Sequence, residues 1–288
     1  MHSTNVESLK VPGATLHYEV GGQGPVLLMI CGGPTDAAIY AGIAGALSEH
    51  YTVVRYDPRG NSRSSLDDPS AEQRIERYSD DAHRLLAALG DGPAYVLGTS
   101  GGALVALDLV ARHPEQVHTL VAHEPPVMEL LPDGERWRSH FQSVYDTYRT
   151  DGVGPAMQKF IAGVDGGEGG QPGESAQQEA VGPDMTLMPP EVMEMMGRMA
   201  ANAEFFIGHV MLPFSSYVPD AEALKAAPTR IVCAVGEASH GSPIHQAGVT
   251  LAERLAVDVV DFPGDHQGFL THSAEFADTL HKVLAVGR

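Results

Sequence analysis

Basic side chains are scarce in this chain. Its 288 residues include 18 Lys and Arg against 37 Asp and Glu, a formal net charge of −19. A field of that sign repels phosphate backbones and anionic lipid surfaces, which excludes nucleic-acid and membrane-surface binding as the main function. Cysteine is scarcer still. Cys31 and Cys233 are the only two, and both sit inside apolar runs, so a disulfide framework is excluded and two buried thiols are expected. No apolar run reaches the ~18 residues that span a bilayer. The opening Met1-His2-Ser3-Thr4-Asn5-Val6-Glu7 lacks the basic-then-apolar pattern of a secretory signal. The expectation is a cytoplasmic protein. What is plentiful is apolar material: at 43% hydrophobic residues, the chain is long enough for one α/β domain carrying an insertion.

The hydrophobic pattern alternates between strand-like and helix-like runs. Leu9–Val11 and Ala14–Val20 flank Pro12-Gly13 and predict an opening hairpin. Val26–Cys31 is a continuous apolar run suited to a buried strand. A helix around Ala37–Ser48, strand Tyr51–Tyr56, helix Ala71–Leu89, strand Ala94–Gly98, helix Gly101–Arg112 and strand Val117–His123 follow. The pattern resumes with strand Thr229–Val235, helix Ala247–Leu255, strand Ala256–Phe262 and helix Ala274–Ala285. Such alternation implies a mostly parallel sheet flanked by helices. Between about Pro125 and Pro228 the rhythm changes: Trp137–Tyr148 and Gly154–Ile161 read as helices, and Gly163–Ser175, rich in Gly and acidic residues, reads as a loop. Met185 to Met211 holds seven of the eleven methionines. That stripe is either helix packing or an adaptable apolar lid, and the two are compatible. Pro189-Pro190 and Pro213 are read as the punctuation before and after this helix.

The strand Tyr95-Val96-Leu97 runs into Gly98-Thr99-Ser100-Gly101-Gly102 and then directly into a helix. Gly-x-Ser-x-Gly at a strand-to-helix turn is the context of a nucleophile elbow, in which a strained turn lifts the serine hydroxyl above the sheet. Gly98 and Gly102 are required where side chains would clash as strand and helix close together. The bland reading is a glycine-rich turn with a bystander serine. Acyl transfer also needs two N–H donors aimed at the developing oxyanion. Gly101, just after the serine, supplies one. Cys31-Gly32-Gly33-Pro34, at the end of the strand expected beside the elbow, supplies the other through Gly33, since Pro34 has no N–H. A serine also needs a base, and Pro263-Gly264-Asp265-His266 lies between the last strand and last helix, where His266 can reach back over the sheet. Asp57 and Arg59 read as loop braces. His240 and His245 are close in sequence but have no evident third metal ligand, and neither a metal nor a cofactor is implied.

Taken together, these segments resemble the α/β-hydrolase fold superfamily, in the branch with a helical cap inserted after the sixth core strand. The matching residues are Cys31-Gly32-Gly33-Pro34, Asp57-Pro58-Arg59-Gly60-Asn61-Ser62, Gly98-Thr99-Ser100-Gly101-Gly102 and Gly264-Asp265-His266. The resemblance implies a core of residues 1–124 and 228–288 with a cap at 125–227. It also implies Ser100 as nucleophile, His266 as base, and Gly33 and Gly101 as oxyanion donors. Two departures stand out. Cys31 replaces a usual histidine, which leaves open a reactive thiol. The acid expected after the seventh strand is missing, because Gly236-Glu237-Ala238-Ser239 places a serine there. Glu124, at the end of the sixth strand, is the expected replacement, as in one branch of the haloalkane dehalogenases. Glu237 is the rival, and Asp265 is expected to point away from the imidazole.

The expected function is a cofactor-independent serine hydrolase that cleaves an ester or lactone of an apolar small molecule through an acyl-enzyme. Phe205, Phe206 and Phe214 join the methionines in suggesting an apolar pocket. Prolyl aminopeptidase activity is disfavoured, because acidic groups would be needed to hold the substrate amine. Dehalogenases and epoxide hydrolases use an aspartate as nucleophile. Two alternatives remain: a ligand-binding protein with little turnover, and a non-hydrolytic enzyme of the same fold, such as a perhydrolase, lyase or cyclase. Monomer and homodimer are equally compatible with the sequence.

Overall fold

A computed structural model describes residues 4–90, 92–164 and 189–286. The chain opens with β1 (Asn5–Val11), β2 (Ala14–Gly21) and β3 (Val26–Ile30). A 3-10 turn, Ala37–Tyr40, runs into α1 (Ala41–Leu47). Then come β4 (Thr52–Tyr56), β5 (Ser65–Leu66), α2 (Ile75–Leu89), β6 (Ala94–Thr99), α3 (Gly101–Arg112) and β7 (Val117–His123). Next are the helices α4 (Gly134–Asp151), α5 (Val153–Val164), α6 (Pro190–Phe205), α7 (Met211–Ser215) and α8 (Ala221–Ala226). The chain finishes with β8 (Arg230–Gly236), α9 (Pro243–Leu255), β9 (Val259–Phe262), α10 (Gly268–Thr271) and α11 (Ser273–Ala285). The two-residue β5 shifts the count by one, so β6 and β7 are the expected fifth and sixth core strands.

The sheet order is β1-β2-β4-β3-β6-β7-β8-β9, with β5 paired to β2. The first hairpin is antiparallel, and every neighbour from β4 to β9 is parallel. Parallel strands are covered on both faces, which is why β6 is buried at all six positions and β3 at four of five. Helix α3 packs behind β6 and β7 and is buried continuously from Gly101 to Val110, as its nearly unbroken apolar sequence requires. Strand order reverses at β3, with β4 on one side and β6 on the other. At such a switch point the loops after neighbouring strands part and leave a crevice at the carboxyl edge.

Several boundaries differ from the sequence expectation. Helix α9 starts at Pro243 rather than Ala247, because Ser242 Oγ accepts the His245 N–H at 3.3 Å and caps it. It ends at Ala256, which is left-handed at φ +56°, so β9 begins only at Val259. Pro213 lies inside α7, not beyond a helix end. A π-helical turn, Phe206–Val210, precedes it, consistent with a proline ring displacing the regular register of the carbonyl four residues back. The expected Gly163–Ser175 loop falls almost wholly outside the described residues, as do Met185 and Met188; Gly163 and Val164 close α5.

Candidate active site

The register brings the functional segments to one level. Ile30 pairs with Gly98, Thr99 with His123, and His123 with Ala234. The loops that leave β3, β6, β7 and β8 therefore start side by side, and the loop after β9 folds over them.

Ser100 sits at φ +54°, ψ −128°, a conformation that costs a non-glycine residue on the order of 1–3 kcal/mol. It is held by its own N–H donating to His123 O at 3.0 Å and by its carbonyl accepting Ala103 N–H at 2.8 Å. The flanking glycines are steric necessities. A Cβ on Gly102 would lie 2.0 Å from Ile30 O, and one on Gly98 would lie 2.7 Å from Ala103 Cα. Gly32 is equally confined, its virtual Cβ 2.4 Å from Gly101 N, so the β3 loop rests directly on the elbow. Neither Gly33 N–H nor Gly101 N–H is donated to any of the described residues. Tyr40 ties the two strand ends together, its hydroxyl donating to Ile30 O at 2.9 Å with Thr99 Oγ1 at 2.7 Å. The sequence reading missed this residue: a lone tyrosine in an apolar helical run carries no signal.

The Cys31 thiol is 4% exposed, and burial pushes its pKa up to about 12. A reactive thiol beside the site is thereby excluded. Asp57 accepts Arg63 Nε at 2.8 Å and Ala37 N–H at 3.0 Å, while Arg59 makes a buried two-point pair with Asp81. Both act as the braces expected of them.

Glu124 is fully buried and left-handed at φ +46°. Its N–H donates to Ala234 O at 2.8 Å, and its Oε1 accepts Gly236 N–H at 2.9 Å. These two bonds clamp the residue across β8 and aim Oε2 at His266, 2.7 Å from Nδ1. Burial pushes the carboxyl pKa up, but the His266 hydrogen bond and charge, with His123 and the Gly236 amide, outweigh it and hold the pKa down at about 2. An ionised carboxylate only accepts, so Nδ1 must carry the proton, which leaves Nε2 as the basic nitrogen. Glu237 is exposed on a 3-10 turn and bonds to none of the described residues, while the Ser239 side chain is buried. Asp265 turns away, its Oδ1 accepting Gln267 N–H at 2.9 Å.

Ser100, Gly33, Gly101 and His266 all line one cavity of about 500 Å³. Its sheet side carries Thr35, Thr99 and Gln267 as further polar groups. Its far side is formed by Phe141 and Met157 of the inserted helices, Met195 and Met199 of α6, and Phe206 and Phe214. Phe205 does not reach it; the Phe205 ring packs over Gly60. No Asp, Glu, Lys or Arg lines the cavity among the described residues.

Residues 25–161 match the family model described as alpha/beta hydrolase fold. The chain is also 36% identical over 286 residues to the uncharacterized hydrolase YraK of Bacillus subtilis, covering 97% of this chain and 96% of that one. The chain belongs to the α/β-hydrolase fold family. Among solved structures, this hydrolase superposes on a thermophilic esterase from Thermogutta terrifontis with a TM-score of 0.71 at 18% identity, covering 99% of this chain and 98% of that one. It superposes on the enol-lactonase from Burkholderia xenovorans with a TM-score of 0.69 at 20% identity, covering 96% and 99%. At such identities these likenesses speak to the fold. Among its described residues, no helix is long and apolar enough to cross a membrane.

Proposed function

We propose that this hydrolase is a serine hydrolase acting on an ester or lactone of an uncharged, apolar small molecule, with Ser100, His266 and Glu124 as its triad. The observation that carries the reading is the 2.7 Å contact of His266 Nδ1 with Glu124 Oε2, in a histidine that shares a cavity with a strained serine.

In this reading Ser100 Oγ attacks the acyl carbonyl while His266 Nε2 takes its proton. Glu124 holds the imidazole in the required tautomer and stabilises the imidazolium that forms. The N–H groups of Gly33 and Gly101 receive the oxyanion. Collapse of the tetrahedral intermediate expels the alkoxide, protonated by His266. Water, deprotonated by the same nitrogen, then releases the acid and restores Ser100. The insertion of residues 125–227 serves as a cap, with the α6 methionines and α4–α5 aromatics around the substrate's apolar part. The lack of Asp, Glu, Lys or Arg among the described residues that line the cavity disfavours substrates that bear a carboxylate or an amine. The missing aspartate after the seventh strand would favour a binding protein with little turnover, whereas the Glu124 carboxylate against His266 supports turnover.

Intact-mass analysis after fluorophosphonate treatment tests the reading. One adduct is expected on the wild type, none on Ser100→Ala, and slowed labelling on Glu124→Gln. A wild type that takes no adduct sinks it.

A further inference from the structure

Helix α6 presents two stripes. Val192, Met195, Met196 and Met199 line the cavity, while Arg198, Asn202 and Phe205, spaced i, i+4 and i+7, face the loops after β3 and β4. The second stripe is anchored by a closed polar network. The Asn202 side chain is 5% exposed and uses three of its hydrogen-bonding positions. Its Nδ2 donates to Pro34 O at 3.0 Å and to Ser62 Oγ at 2.8 Å, and its Oδ1 accepts Ser62 N–H at 2.8 Å. Asp36 is fully buried and accepts Arg198 Nε at 2.5 Å, Ser62 Oγ at 2.9 Å and Ala38 N–H at 2.9 Å. Ser62 itself is left-handed at φ +49°, a conformation that persists only where the surroundings over-determine it.

The target of this network is the peptide chain that carries Gly33. Thr35 Oγ1 donates to Gly32 O at 2.7 Å, and Asn61 Nδ2 donates to Gly33 O at 3.2 Å and Thr35 O at 2.9 Å. With Asn202 on Pro34 O, four successive carbonyls are held. A trans peptide points its C=O and N–H in opposite directions. Fixing Gly32 O therefore aims Gly33 N–H the other way, and fixing the next three carbonyls prevents the loop from rotating. Only one of these four restraints, Asn202, comes from the inserted helices.

We infer that Asn202, backed by the Arg198–Asp36 pair, is a positioning residue through which the cap sets the alignment of the Gly33 oxyanion donor. The inference rests on the serine-hydrolase reading. One rigid helix touches the substrate space with its methionine stripe and the oxyanion loop with its polar stripe, so the seat of α6 in the cap and the aim of the donor are coupled.

The discriminating variant is Asn202→Asp, which keeps the acceptor for Ser62 N–H and the side-chain volume but deletes both donors. Asn202→Ala removes all three bonds, and Arg198→Lys keeps the charge on Asp36. The measurements are the rate and half-saturation of fluorophosphonate labelling at Ser100, and amide hydrogen exchange over residues 31–36. Losing an oxyanion donor outright costs ~10²–10³ in rate; a misaimed donor is expected to slow labelling about tenfold in Asn202→Asp. Half-saturation should stay unchanged and exchange over 31–36 should rise, with Arg198→Lys near wild type. Unchanged labelling by Asn202→Asp overturns the inference, as does slowed labelling with undisturbed exchange at 31–36. If the wild type itself does not label, the hydrolase reading falls and the inference falls with it, a result distinct from wild-type labelling that Asn202→Asp leaves intact.

Discussion

On the sheet side of the cavity Gly32, Gly98 and Gly102 leave no room for even a methyl group, and Ser100 and Glu124 are held in left-handed conformations by backbone hydrogen bonds. On the helical side Met157, Met195, Met199 and Phe206 fill space without a single charged group among the described residues. One wall is specified atom by atom, and the other by composition. On the proposed serine-hydrolase reading, the difference follows from what each wall would have to do. Acyl transfer requires donors and a base placed to within a fraction of an ångström, whereas enclosing an apolar tail requires only volume and the absence of water. Substitutions on the two walls should therefore fail in different ways.

The largest effect is expected at Gly102. An alanine methyl would meet the Ile30 carbonyl 2.0 Å away, backbone against backbone, where neither strand nor helix can yield. Gly102→Ala should lose about 3 kcal/mol or more and give little folded protein, as checked by thermal unfolding of the soluble fraction. A variant of wild-type Tm would show that this wall is softer than its geometry.

Glu124→Gln should fold and lose about 10³–10⁴ in kcat, because a neutral amide neither enforces the Nδ1–H tautomer nor stabilises the imidazolium. It also has a signature in stability. The Glu124 pKa is depressed from 4.5 to about 2, so the unfolded chain binds a proton that the folded protein refuses. The stabilisation is complete above pH ~4.5 and is lost as pH falls toward 2. Tm measured from pH 6 to 2.5 should fall less steeply below pH 4.5 in Glu124→Gln than in the wild type.

His123, the neighbour of Glu124, is the exception on the sheet wall. It is fully buried among Phe262, Phe269 and Phe276, and neither ring nitrogen has a partner among the described residues. Burial pushes its pKa down from 6.5 to about 4. A depressed histidine stabilises above pH 6.5 and loses that contribution as pH falls toward 4, a window just above that of Glu124. His123→Leu should stay close to wild type at pH 7.5 and be relatively more stable by on the order of 2 kcal/mol near pH 4. Urea unfolding at the two pH values decides this, and parallel pH profiles for the two proteins would contradict it.

The same contrast explains what could be read from the sequence. The tight strand-to-helix turn at Ser100 was legible because its steric demands reach the sequence as glycines at fixed spacing, and the place of His266 because the loop between last strand and last helix follows the chain order. Glu124 came into view through the family resemblance, which implied an acid where Ser239 stands and allowed one after the neighbouring strand; its carboxylate lies 2.7 Å from His266 Nδ1. Whether Glu124 or Glu237 faced His266 depended on the left-handed turn at Glu124, which no propensity signals. Asn202 and Asp36 were invisible because their partners lie 168 and 162 residues away in sequence, and a polar residue inside a methionine-rich helix reads simply as its solvated face. Phe205 failed for the opposite reason: composition suggested an apolar pocket, but the Phe205 ring covers Gly60 instead of facing the cavity.

The smallest and most telling effect belongs to the helical wall. Met199 is half-buried and lines the cavity, and it also packs against the core cluster that includes Ile39. Removing its thioether should cost about 1 kcal/mol, below the ~2–5 kcal/mol of a fully buried methionine, because the site is only partly enclosed. Its flexible neighbours Met195 and Met196 can move into part of the space. Met199→Ala should therefore leave kcat for a short acyl ester within about twofold of wild type while raising KM for a long-chain ester several-fold, since about 25 cal/mol is lost for each Å² of apolar contact removed. A matched series of esters of increasing acyl length, measured on the wild type and Met199→Ala, tests it. If kcat fell equally for every chain length, Met199 would be acting through α6 on the oxyanion loop rather than on the substrate, and the helical wall would share the exactness of the sheet wall.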